Sequence, residues 1–271
     1  MAAHIAKVIH HIPAKELKRR QISSISKELT HPDDLERLKR EFISTASHEL
    51  CTPLTSILGF SELLMNPENY GGIAAERQRE FLEIIYEKAR DLMDIVDALL
   101  ILAHSRSGIG VCLNREACSI ETLVEEALAA LPGTTDKQRI EVHLVEGGTS
   151  IWIDRKKLGR ALTALLANAL KFAPDRVVRV RGECSGGRSL IAVEDDGIGM
   201  SPQDLKKIFQ PFFRVDASST AAAGLGLGLP FANALVEAHG GDLSIKSTPG
   251  AGTTVTLSIP LTSGSKRNRN H

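Results

Sequence analysis

Aromatic side chains are scarce in this chain: one Trp, two Tyr and eight Phe among 271 residues. Aliphatic residues and alanine are plentiful, a composition that suits helices and coiled coils better than a β-sandwich. Net charge is also missing. Lys and Arg total 33 and Asp and Glu total 33, so no global field draws the chain to nucleic acid or to an anionic membrane surface. No apolar run reaches the roughly 18 residues that a spanning helix needs, and no membrane segment is expected. Met1 to His11 hold neither a long apolar stretch nor a cleavage site, so no secretory leader is expected. The four cysteines, Cys51, Cys112, Cys118 and Cys184, are scattered. Cys112 and Cys118 lack a His or Cys partner at zinc-ligand spacing, so no metal site follows from them. Reduced thiols and a cytoplasmic location are the expectation.

What is present is a long helical pattern with a histidine in it. Leu35, Leu38, Phe42, Ala46, Leu50, Leu54, Ile57, Ser61 and Leu64 recur three or four apart, one face of a helix. The pattern starts at Thr30-His31-Pro32-Asp33-Asp34 and stops at the turn cluster Asn66 to Gly72. His48 lies two residues from Ala46 and two from Leu50, so it points away from that stripe. Glu49 is its neighbour, and Thr52 is one turn on, on the same face. Pro53 has no N–H and its ring opposes the carbonyl of Glu49, which predicts a kink beside the histidine. An exposed neutral imidazole next to a carboxylate is a nucleophile with a base at hand. Alone, such a pair is most often an ordinary surface histidine, and the rest of the chain changes that reading.

A second helix is expected from about Ala75 to His104. Leu82, Ile85, Ala89, Leu92, Val96, Leu99 and Ala103 alternate steps of three and four, an a/d seam of period 3.5. Two such helices joined by a short turn make a hairpin. A hairpin cannot bury wide apolar stripes by itself, so a dimeric four-helix bundle is expected, with a monomeric bundle packed on the next domain as the alternative.

After the Gly108 and Gly110 linker the pattern changes. Ser119 opens a helix to Leu131, 139–145 and 150–153 alternate like strands, and Asp154 caps a helix to Phe172. Residues 177–183 and 190–193 read as strands, Gly228 to His239 as a helix, and 243–246 with 253–259 as a final hairpin. This is an α/β domain of about 150 residues.

Three clusters in that domain are polar or flexible where a core would be neither. Asn168 and Lys171, three apart on one helix, offer an amide oxygen to Mg²⁺ and an ammonium to phosphate. Asp195-Asp196-Gly197-Ile198-Gly199 follows an apolar strand, so a carboxylate stands where it can accept from an exocyclic amine, and glycines let backbone approach a flat base. Gly224-Leu225-Gly226-Leu227-Gly228 leads into a helix, whose first N–H groups suit anionic oxygens. The stretch Val215 to Ala223 before it is small and polar, as a lid would be.

In order, the chain runs His48-Glu49-x-x-Thr52-Pro53, Asn168-x-x-Lys171, Asp195-x-Gly197-x-Gly199, Phe209-x-Pro211-Phe212-Phe213-Arg214 and Gly224-x-Gly226-x-Gly228. This succession resembles the sensor histidine kinases of two-component signalling, over about residues 33–260. The resemblance implies an α plus α/β architecture: a dimeric antiparallel helical hairpin at 31–106, then an α/β-sandwich ATP-binding domain at 107–262. Residues 1–30 would be an N-terminal arm or coupling segment and 263–271 a disordered tail.

It further implies that His48 is the phosphoacceptor, Glu49 its base, and Thr52 the residue that orients water for dephosphorylating the partner. Asn168 would hold Mg²⁺. Lys171 and Arg214 would meet the phosphates of ATP, and Asp195 the adenine amine. Phe172, Gly197, Gly199, Gly224, Gly226 and Gly228 would line the nucleotide pocket and its lid. The implied partners are a second copy of the chain and a response regulator receiver domain, whose aspartate takes the phosphoryl. An ATPase or serine kinase on the same ATP fold, or a non-catalytic dimeric scaffold, are the alternatives. Two positions depart from the family pattern: Cys51 stands where Arg or Lys is usual, and Ala164 where a second asparagine is often found.

Overall fold

A computed structural model describes residues 32–70, 72–107, 110–131, 136–145, 150–215 and 226–261. The expected arm at 1–30, the tail at 263–271, Gly224 and nearly all of the expected lid lie outside the described residues. The chain divides into two compact units, Met1–Thr52 and Pro53–His271.

In the first unit the described residues belong to helix α1, Pro32–Met65, whose acidic-rich start follows the expected Pro-Asp-Asp signal. Pro53 sits inside the helix without ending it. His48 and Glu49 are helical, Glu49 is half-buried, and Cys51 and Thr52 are exposed on the last turn of the unit.

In the second unit a short 3₁₀ turn at Pro67–Tyr70 leads to α2, Ala75–Ser107. Phe60 and Phe81 meet across the hairpin, ring centroids 5.1 Å apart. The α2 helix carries two apolar faces. Ala98, Ile101 and Leu102 are buried and belong to the same core as the α/β elements. Leu82, Tyr86, Met93, Val96 and Leu100 form a separate stripe that stays exposed, from 40% at Val96 to 66% at Tyr86. At 100° per residue the two sets lie on opposite sides of the helix.

The remaining elements are β1 (Glu116–Cys118), α3 (Ile120–Ala129), β2 (Ile140–Leu144), β3 (Ile151–Ile153), α4 (Arg155–Phe172), β4 (Val178–Ser185), β5 (Arg188–Asp195), α5 (Pro202–Leu205), α6 (Gly228–Ala238), β6 (Asp242–Thr248) and β7 (Gly252–Pro260). A five-stranded sheet runs in the order β2-β4-β5-β7-β6, with β2 and β4 parallel and the other pairs antiparallel. A two-stranded antiparallel pair, β1 with β3, stands apart. Among the described residues no helix is long and apolar enough to cross a membrane.

Alternation decides which sheet face is covered. Val178, Val180, Ile191, Val193, Val255 and Leu257 point inward and are buried against α3, α4 and α6. Arg179, Arg181 and Glu194 point the other way and pair across strands, as in Arg181 to Glu194 at 3.3 Å. The expected strands and helices all form, with ends shifted by one to three residues. Two elements were not legible. The three residues of β1 give no alternation to read, and α5 is a single capped turn set by the Ser201 and Asp204 capping box.

The caps fix where α3 and α4 start. Ser119 Oγ accepts from the Thr122 N–H, and Asp154 Oδ1 accepts from the Lys157 N–H at 3.0 Å. Asp154 also accepts from the Asn114 N–H and the Lys157 ammonium. Burial pushes its carboxyl up, but these bonds outweigh it and hold the group below the ordinary carboxylate value. Behind Asp154 lies buried His239, at the end of α6. Its Nε2 accepts from the Asp154 N–H at 3.0 Å, and its Nδ1–H donates to the Leu235 carbonyl at 2.7 Å. That joint ties the start of α4 to the end of α6 and so sets the spacing of the two helices that flank the pocket.

Candidate functional site

Between α4, α6 and the ends of β5 and β7 lies a pocket of about 970 Å³. Helix α4 splits into two faces. Leu158, Leu162 and Leu166 go into the core, while Arg160, Ala164, Asn168 and Lys171 line the pocket. These four recur at i, i+4, i+8 and i+11, one stripe of the helix. The floor is Val193 and Asp195 of β5 with Thr253 and Val255 of β7. The far wall is Phe213, Arg214 and the first turn of α6.

Asp195 ends β5 and is half-buried. Its carboxylate accepts from the Gly197 N–H at 2.9 Å and from the Thr253 N–H. Burial raises its pKa, the two N–H bonds oppose that, and the neighbouring Asp196 carboxylate adds to the rise. The loop that follows is pinned at both ends. The Ile198 N–H donates to the Phe172 carbonyl at 3.3 Å, and the Met200 N–H to Ser247 Oγ at 2.9 Å.

Gly199 has φ of +65°, and a Cβ there would run into the Thr248 carbonyl, so the fold itself requires a glycine at this position. Gly197 is of the same kind: a Cβ there would meet the Phe172 carbonyl and the Asp195 carboxylate. Gly199 lines the pocket and Gly197 does not.

Lys171 and Arg214 come together in the pocket wall. Burial depresses the Lys171 ammonium pKa, and the Arg214 guanidinium depresses it further. Among the described residues no carboxylate pairs with Lys171, whose Nζ lies 4.7 Å from the centroid of the Phe172 ring. Two cations held close in a partly desolvated wall favour an anion between them. Asn168 faces the same space, and its carboxamide makes no hydrogen bond among the described residues. Gly228 opens α6 against it: a Cβ at Gly228 would stand 3.1 Å from Asn168 Nδ2. A helix N-terminus with its unpaired N–H groups is thus brought beside Asn168.

Pro211–Arg214 is reached through Phe212, whose φ of +66° is rare for a bulky residue. The Phe212 N–H donates to the Gly226 carbonyl at 3.2 Å, which joins this turn to the start of α6.

The structure therefore gathers Asn168, Lys171, Phe172, Asp195, Gly199, Arg214, Gly226 and Gly228 around one pocket. His48, Glu49 and Thr52 stand in the other unit, on α1. Sequence reasoning missed Arg160, Asp94 and Arg90, which also line the pocket. Arg160 is eight residues before Asn168 on the same helix, a spacing that would have flagged it.

Residues 38–108 match the His Kinase A phospho-acceptor domain, and residues 153–263 match the histidine kinase-, DNA gyrase B- and HSP90-like ATPase domain. The chain is 35% identical over 230 residues to the circadian input-output histidine kinase CikA of Synechocystis, covering 82% of this chain and 30% of that protein. It is 33% identical over 258 residues to the sensor protein GacS of Pseudomonas syringae pv. syringae, covering 91% of this chain and 28% of that protein. The chain thus spans about a third of the length of these curated relatives. Among solved structures, full-length ShkA in complex with AMPPNP matches with a TM-score of 0.59 at 25% identity, over 83% of this chain and 47% of that one. Two family domains, matched in the order of the motifs and together spanning more than half of the chain, establish that it belongs to the sensor histidine kinases.

Proposed function

We propose that the chain is a homodimeric protein-histidine kinase that uses Mg-ATP to phosphorylate His48 and passes the phosphoryl to an aspartate of a response regulator. The observation that carries the reading is the convergence of Lys171 and Arg214, without a carboxylate for Lys171, beside Asn168 and the start of α6. In this reading Asp195 accepts from the adenine amine, Lys171 and Arg214 neutralise the phosphates, and Phe172, Gly199, Gly226 and Gly228 shape the pocket. Gly197 stands in the same loop as Gly199, and Gly224 lies outside the described residues. An Asn168 carboxamide with no hydrogen-bond partner among the described residues is a fitting oxygen donor for Mg²⁺. The ion would supply charge neutralisation on the phosphates. Positioning and charge stabilisation do most of the work in phosphoryl transfer, so the pocket needs no nucleophile of its own.

His48 is the nucleophile and Glu49, beside it on α1, is the base. Thr52, one turn on, orients the water that dephosphorylates the regulator. The exposed stripe of Leu82, Tyr86, Met93, Val96 and Leu100, with Leu54 and Leu58 exposed on α1, supports a second copy as the partner of the hairpin. The functional domains are then the hairpin at 31–106 and the ATP-binding domain at 107–262.

The test is incubation with ATP labelled at the γ-phosphate. The chain should take up acid-labile label, and His48→Ala should take up none while still binding ATP. Thr52→Ala should label normally and lose activity only toward the phosphorylated regulator. Acid-stable label, or acid-labile label that persists on His48→Ala, refutes the assignment.

A further inference from the structure

Arg160 is a basic residue of the pocket wall with two anionic partners on the hairpin. Its Nη1 donates to Asp97 Oδ2 at 2.7 Å and its Nη2 to Asp94 Oδ1 at 2.9 Å. Its guanidinium carbon lies 5.3 Å from the centroid of the Phe231 ring. Both carboxylates belong to α2, and Asp94 itself lines the pocket, with Arg90 one turn before it. The clamp therefore ties α2 to the ATP-binding domain at the edge of the nucleotide pocket, next to the apolar contacts of Ala98, Ile101 and Leu102.

The position of Arg160 within the pocket follows from the helices. Asp195 stands at the Phe172 end of α4, where the Ile198 N–H meets the Phe172 carbonyl. Arg160 is twelve residues back along the same helix, about 18 Å of axial rise. Asn168 lies between them, with Gly228 against it, and Phe231, under Arg160, is three residues into α6. A nucleotide with its base at Asp195 and its phosphates at Lys171, Asn168 and the α6 N-terminus extends toward Arg160. In that placement the last phosphoryl group would be the part of the nucleotide nearest the clamp. There it meets a guanidinium that attracts it and two carboxylates that repel it, so the carboxylates and the phosphate compete for one cation.

Resting on the nucleotide reading above, we propose that Arg160 is a terminal-phosphate sensor. It exchanges Asp94 and Asp97 for the γ-phosphate of a bound triphosphate, which frees that stretch of α2 from the ATP-binding domain. A diphosphate stops short of the clamp and leaves it closed. The exchange couples the presence of a transferable phosphoryl to release of the hairpin helix.

The test uses the full chain with Mg²⁺ and either ADP or the non-hydrolysable β,γ-imido analogue of ATP, by calorimetry and by backbone hydrogen exchange. Arg160→Gln should weaken the analogue about tenfold and change ADP affinity by less than about twofold. Asp94→Asn with Asp97→Asn should tighten the analogue, because the competitors lose their charge. In the unmodified chain, exchange over residues 93–102 should be faster with the analogue than with ADP. Equal effects of Arg160→Gln on both nucleotides, or equal exchange with both, overturn the sensor while leaving the nucleotide site intact. Failure of the unmodified chain to bind either nucleotide overturns the site and the sensor together. Should Arg160→Gln not fold, the double aspartate variant decides, and unchanged affinity for the analogue overturns the proposal.

Discussion

His239 offers a pH-dependent measure of how the two pocket helices are joined. The imidazole is 2% exposed. A backbone carbonyl can only accept and a backbone N–H can only donate, so the contacts with Leu235 and Asp154 require the neutral ring with its proton on Nδ1. Burial lowers its pKa below 6.5, the Leu235 bond opposes that, and Arg115, Asp154 and Lys157 are the charged groups around it.

The sign follows from linkage. As pH falls through 6.5 the unfolded chain takes up a proton at this histidine more readily than the folded chain, so stability present above 6.5 is lost as pH falls toward the folded value. One proton taken up on unfolding limits the slope to at most about 1.4 kcal/mol per pH unit. The Asp154 carboxyl titrates below 3.8 and does not enter this window.

His239→Gln isolates the effect, because a carboxamide oxygen can still accept from the Asp154 N–H but does not titrate. At pH 7.5 the variant should lose about 1 kcal/mol, whereas His239→Ala, which orphans a buried N–H and leaves a cavity, should lose about 3 kcal/mol. Urea unfolding followed by circular dichroism at a series of pH values reads both. The wild-type curve should fall more steeply than that of His239→Gln between pH 6.5 and 5.5, and parallel curves would refute the reasoning.

Asp195→Asn should weaken nucleotide binding by about 1.5–3 kcal/mol, since the amide keeps one acceptor oxygen where the carboxylate has two. Calorimetry with ADP reads it, and unchanged affinity would place the base elsewhere. Gly199→Ala should destabilise the fold by at least about 2 kcal/mol, from the left-handed backbone and the collision with the Thr248 carbonyl. Gly186→Ala is the control. It shares a positive φ but has open space around the Cβ position, so it should cost only about 1 kcal/mol in thermal unfolding.

Much of the architecture was legible because it depends on local spacing. The β4 and β5 strands announce themselves by alternation, α4 by Asp154 at its start and leucines at helical spacing, and α6 by the glycine-rich entry and Gly240 at its exit. The motif residues Asn168, Lys171 and Asp195 were readable for the same reason: polar groups interrupt patterns that a core would have kept apolar.

What needed the tertiary structure was every relation between residues distant in the chain. The sequence by itself determined that α2 has an apolar seam. Only packing decided that it has two apolar sides, with Ala98, Ile101 and Leu102 buried and the Leu82 to Leu100 stripe left exposed. Lys171 and Arg214 are separated by more than forty residues, and no periodicity could say that their charges would meet. The same holds for His239 against Asp154 and for Arg160 between Asp94 and Asp97. Local patterns fix which side of an element is apolar. Partners far along the chain are chosen when several elements close around one core, because only then are water and alternative counter-charges removed.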